Sequence, residues 1–106
     1  MKSPIYLSGP MTNLPAYNYP AFNAAAATLR AMGHTVLNPA ENPAQDTWEA
    51  YMRQAIAQLV QCQTIVMLPG WTRSQGALIE HKLAHTLGMK VVNFADVAQE
   101  LQALCN

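Results

Sequence analysis

Thr64–Gly88 reads TIVMLPGWTRSQGALIEHKLAHTLG, and this stretch decides the fold. Thr64 to Leu68 is a short apolar run rich in β-branched residues, the pattern of a strand buried on both faces. A polar loop carrying Gly70 and Trp71 follows. A helix is then expected from about Gln75 to Leu87, with Gly88 as its stop. In a parallel α/β domain, the loop leaving a strand's carboxyl end and the start of the next helix form the ligand crevice. Glu80 lies early in that helix, so it is the candidate for chemistry. A Glu near a helix start also gains from the helix dipole wherever it sits, which leaves a solvated surface role open. Gly76, one turn earlier, would leave room for a ligand beside the carboxylate, with Leu78, Ile79 and Leu83 supplying the packing face.

The same alternation extends in both directions. Ile5 to Ser8 is a first apolar strand that breaks at Gly9-Pro10. Gly9 to Pro20 carries three prolines and reads as an ordered loop. A helix over about Ala21 to Met32 puts Phe22, Ala25, Ala26 and Leu29 on one face, and Gly33 stops it. Thr35 to Leu37 is the second strand, closed by Asn38-Pro39. Asp46 with Glu49 three residues later reads as a capping box. The helix it opens, Asp46 to Gln61, carries Trp48, Tyr51, Met52, Ala55, Ile56, Leu59 and Val60 as an apolar stripe. Met89 to Phe94 is a fourth strand, and Asp96 to Leu104 a closing helix. Strand and helix alternate throughout, which implies a single α/β domain over 1–106. It is doubly wound and flavodoxin/Rossmann-like, three layers deep, with a four-stranded parallel sheet in the order 2-1-3-4. The switch point of that order lies between the first and third strands.

Composition narrows the function classes. The chain has 106 residues, 51% hydrophobic and only 11% charged, with formal net charge zero. A sparsely charged surface on a small domain points to cover by another subunit. Without a basic cluster, duplex nucleic acid is not expected as a partner. No apolar run reaches signal-peptide or membrane-span length, so a cytoplasmic protein is expected. Cys62 and Cys105 lack CxxC spacing and read as a buried small hydrophobe and a tail thiol. His81 and His85 are four apart, but HKLAH has Lys82 where a metalloprotease helix would place its base, so no metal site is expected. No cofactor is expected either, and neither loop is a GxGxxG or Walker sequence.

The crevice residues expected from this layout are Tyr6, Ser8, Gly9, Pro10 and Met11 from the first loop, and Asn38 and Pro39 from the second. The third contributes Pro69, Gly70, Trp71, Ser74, Gly76 and Glu80. Backbone N–H groups near Gly9 and at the Gln75-Gly76 helix start suit a phosphate. Trp71 and Tyr17 or Tyr19 would either stack on a planar base or cover the sheet edge.

These residues carry a resemblance. IYLSGPM, NPAE, WEAYM and LPGWTRSQGALIEHKLAHTLGMKVV together resemble small, often phage- or prophage-encoded proteins of the nucleoside 2-deoxyribosyltransferase-like superfamily. That resemblance implies cleavage of the N-glycosidic bond of a 2-deoxynucleoside or its 5-prime monophosphate, by hydrolysis or by sugar transfer. It implies Glu80 as nucleophile and Tyr6 as its orienter, though strand alternation alone leaves open which face Tyr6 takes. A carboxylate suits the oxocarbenium-like state at an anomeric carbon, which it can stabilise or capture as a glycosyl ester. Ser74 stands where superfamily transferases often carry an aspartate, as in members that grip a 5-prime phosphate. Gln63-Thr64 lacks the acid that commonly assists the base. The resemblance also implies a homodimer or homotetramer, with the second helix as the expected interface. A second reading of the same crevice is a non-catalytic nucleotide-binding phage accessory or sensor protein.

Overall fold

The computed structural model describes residues 4–97. Four parallel strands, β1 (Ile5–Ser8), β2 (Val36–Leu37), β3 (Thr64–Met67) and β4 (Lys90–Asn93), form one sheet in the order β2-β1-β3-β4. The order is the one that the alternation of elements implies. β1 and β3 are central and run in register from Ile5 opposite Thr64 to Ser8 opposite Met67. All four residues of β1 are buried, which is why the strand reads as a continuous run instead of alternating with polar residues.

Strand periodicity divides the core into two layers. Ile5, Leu7, Val66 and Val92 pack against Phe22, Ala25, Ala26 and Leu29 of α1 (Tyr19–Ala31). Tyr6, Ile65 and Met67 point the other way, towards Ala55 and Leu59 of α2 (Trp48–Leu59) and Ala77 and Ala84 of α3 (Gln75–Thr86). Tyr6 therefore belongs to the α2/α3 face, which settles the alternation that the sequence left open. Gly33, at φ 93°, follows the end of α1 as expected.

Several local expectations change. The cap of α2 is Thr47, whose hydroxyl accepts from the Ala50 N–H at 3.0 Å; Asp46 lies one residue too early to reach that donor. The face of α3 turned to the sheet is Ala77, Glu80 and Ala84, while Leu78 and Ile79 are exposed. Small residues are selected there because they let the helix backbone approach the strands. Only the first part of the expected closing helix is described: residues 94–96 form a 3-10 turn and Val97 is buried. The remainder of Asp96 to Leu104, and Cys105, lie outside the described residues. Cys62 is a buried free thiol that burial pushes up to about 11, and it packs with Tyr6 and Leu59. No helix among the described residues is long and apolar enough to cross a membrane.

Candidate active site

Two residues apart on one strand means one face, so Tyr6 and Ser8 both project from β1 towards α3. The start of α3 is fixed by Ser74, whose hydroxyl accepts from the Ala77 N–H at 3.2 Å. One turn further on, the close approach allowed by Ala77 and Ala84 carries Glu80 onto the sheet, where it is 6% exposed. The Tyr6 hydroxyl donates to Glu80 Oε2 at 2.6 Å and the Ser8 hydroxyl donates to Oε1 at 2.6 Å. Both lengths fall in the range of O–H donors on an ionised carboxylate. Burial pushes the Glu80 carboxyl up; the Ser8 and Tyr6 hydroxyls pull it down, and burial outweighs them. Burial first, and then the charge of Glu80, holds the Tyr6 phenol well above its ordinary value, so it stays a donor. Tyr51 is raised for the same two reasons, and its hydroxyl donates to Met11 Sδ at 3.0 Å, tying α2 to the loop after β1.

A cavity of about 770 Å³ opens above this cluster, with Tyr6, Ser8 and Glu80 among its lining residues. That volume lies within the range of small-molecule sites. Gly9, Pro10 and Met11 form one wall and Arg73, Ser74 and Gly76 another. Trp48, Tyr51 and Met52 line it from α2, and Tyr17 and Tyr19 from the segment before α1. Asp46, which does not cap α2, also lines this space.

Four residues expected in the crevice do not line this cavity. Asn38 is buried, donating from Nδ2 to Asn23 Oδ1 at 3.0 Å and accepting at Oδ1 from the Ala40 N–H at 3.0 Å, so its side chain braces the turn after β2. Pro69, Gly70 and Trp71 line a separate cavity of about 280 Å³ beside Asn93 and Phe94. The 3-10 turn of residues 71–73 carries the indole out of the crevice, and Trp71 stacks on His81 with ring centroids 4.3 Å apart. Two glycines have other reasons than the one the sequence suggests. A Cβ on Gly76 would lie 3.2 Å from Met52 Sδ, so its bareness serves the packing of α3 on α2. A Cβ on Gly9 would lie 2.8 Å from Leu68 Cβ, so the first loop needs glycine to pass the end of β3.

Sequence reasoning missed Trp48, Tyr51, Met52, Asp46 and Arg73 as lining residues. The first three belong to the apolar stripe of α2, and two aromatics three apart at the front of a helix whose N-terminus meets the crevice are the available signal. Among the described residues, no group of three or more His, Cys, Asp or Glu could hold a metal ion.

A family described as "Domain of unknown function (DUF4406)" matches residues 3–93. No curated protein matches the chain. Among solved structures, the "2-desoxiribosyltransferase from Leishmania mexicana" is similar with a TM-score of 0.69 and 22% sequence identity, the match covering 86% of this chain. This chain spans 63% of the length of that one. At such identity the likeness is one of fold, and the sheet order 2-1-3-4 belongs to it.

Proposed function

The chain belongs to the DUF4406 family, and from that premise we propose that it breaks the N-glycosidic bond of a 2-deoxynucleoside or of its 5-prime monophosphate, with Glu80 as nucleophile. The observation that carries this reading is a buried carboxylate, held on both oxygens by Tyr6 and Ser8, at the wall of a cavity of small-molecule size. The fold shared with a 2-deoxyribosyltransferase supports the same chemistry. A Glu80 oxygen bonds to the anomeric carbon as the carbon–nitrogen bond breaks, and the base leaves with the electron pair and takes up a proton. The glycosyl ester then yields to water, which gives hydrolysis, or to a second base, which gives transfer. Tyr6, kept protonated by its surroundings, orients the carboxylate. The aromatic side chains of Trp48, Tyr17 and Tyr19 on the cavity wall suit a planar base.

The test is incubation with a panel of deoxynucleosides and their monophosphates, with ribonucleosides as controls, followed by chromatography for free base. Base release from wild type, lost in Glu80→Gln, is the expected result. Ligand binding without base release across the whole panel would instead make the protein the non-catalytic nucleotide binder.

We also propose a homodimer or homotetramer, supported by exposed Trp48 and Val60 at the two ends of α2 and by exposed Leu78, Ile79 and Leu87 on or beside α3. Light scattering at micromolar concentration checks it, and a monomer there contradicts it.

A further inference from the structure

Ser8 occupies the end of a strand whose following loop faces the cavity, which on sequence grounds makes it a ligand contact. Its hydroxyl is engaged elsewhere. A serine has one O–H to donate, and Ser8 gives it to Glu80 Oε1 at 2.6 Å while 1% exposed. Tyr6 holds the other oxygen at the same distance. The two donors stand on one face of β1, two residues apart, and grip the carboxylate as a fork.

We propose that Ser8 is a second positioning residue for Glu80, fixing Oε1 as Tyr6 fixes Oε2, and that it does not bind the substrate by donation. This deepens the reading of Glu80 as the reacting carboxylate and rests on it. A carboxylate held by one hydroxyl can swing about that single contact, whereas one held on both oxygens has its plane set, and its remaining lone pairs are presented to the cavity. Among the described residues, the two hydroxyls are what opposes the effect of burial at Glu80. Each hydroxyl therefore also sets how much of the carboxyl is ionised and available to attack. The titratable groups that feel its charge are Tyr6 from β1 and Tyr51 from α2, and both are held protonated far above the range of a carboxyl. Asp46 and Arg73 are the charged groups on the cavity wall.

The experiment follows the Glu80 carboxyl carbon by NMR in uniformly 13C-labelled protein, its resonance assigned by its absence in Glu80→Gln. Loss of a hydroxyl donor to an ionised group shifts its midpoint by about one to two pH units, so Ser8→Ala is expected to titrate that much higher than wild type. Ser8→Cys fills the same space with a weak donor and is expected to move in the same direction, which serves if Ser8→Ala does not fold. A midpoint equal to wild type in a folded variant overturns the assignment. In the same variant, the acid limb of base release is expected to move up with the carboxyl, while the Kd of a deoxynucleotide stays unchanged. A Kd that rises with an unmoved carboxyl makes Ser8 a ligand contact instead. The titration needs no turnover, so a wild type that releases no base refutes the glycosidase reading and leaves the test of Ser8 standing.

Discussion

The Tyr6 hydroxyl meets Glu80 Oε2 at 2.6 Å across 74 positions of sequence, joining the central strand to the helix that covers it. Both groups are buried, so removing the donor leaves a carboxylate oxygen without its partner. Tyr6→Phe keeps the ring and its packing, and is expected to cost about 1–3 kcal/mol, read as a lower urea midpoint. The exposed Arg30–Glu41 pair, at 2.8 Å with side chains 42% and 51% accessible, is the contrast. Arg30→Gln is expected to cost at most about 1 kcal/mol, because solvent screens the pair. Equal losses in the two variants would contradict the assignment of the Tyr6 contact as a buried bond.

Ionising Glu80 works against the fold. Its native pKa lies above the unfolded value of about 4.3, because burial outweighs both hydroxyl bonds. Between those two pKa values the native state binds more protons than the unfolded chain. Its contribution to stability is therefore fullest below the unfolded pKa, declines as pH rises through the native pKa, and is constant above it. Gln cannot titrate. Relative to wild type, Glu80→Gln is expected to gain stability as pH rises through that window, measured as the difference between denaturant midpoints from about pH 4 to about pH 8. Parallel profiles would sink the prediction.

Gly9 passes the end of β3 so closely that a Cβ there would meet Leu68 Cβ at 2.8 Å. Neither atom is the free end of a flexible chain, so the first loop or β3 must shift. Overpacking of this kind costs about 1–3 kcal/mol. Gly9→Ala is expected to lower the thermal midpoint, and to reshape the cavity wall that the loop forms. An unchanged midpoint would show that the loop yields freely.

Ala16, Tyr17 and Asn18 have φ of 51°, 51° and 59°, three consecutive residues in the left-handed region. Asn tolerates this; Ala and Tyr do so at roughly 1–2 kcal/mol each. Residues 15–18 bury no side chain, and the segment is held by the Asn18 Nδ2 bond to the Pro10 carbonyl at 3.0 Å and the Tyr17 N–H bond to the Leu14 carbonyl at 3.0 Å. Ala16→Gly removes the Cβ conflict but loosens the unfolded chain by about 0.4–1 kcal/mol. A net stabilisation of about 0.5–1 kcal/mol is expected, visible in denaturant unfolding; destabilisation would mean that the left-handed turn is not what the loop adopts in solution.

The order of elements and the sheet they build are legible in the residues alone. Apolar runs at Ile5–Ser8 and Thr64–Leu68, helical stripes between them and glycine at position 33 are local signals, and local signals survive without coordinates. The sequence also brings Tyr6 and Glu80 forward together, by resemblance. What it cannot decide is which face of α3 meets the sheet. Periodicity counts large apolar residues, and so favours Leu78, Ile79 and Leu83; Leu83 does pack on the core, but close approach selects small residues, and the structure turns Ala77, Glu80 and Ala84 inward while Leu78 and Ile79 are exposed. The same rotation buries the carboxylate, gives it Ser8 as a second donor and makes Gly76 a contact for Met52, while the 3-10 turn ahead of the helix lays Trp71 on His81. Each of these depends on how near two elements come to one another, and that distance is a property of the packed molecule and not of any one segment.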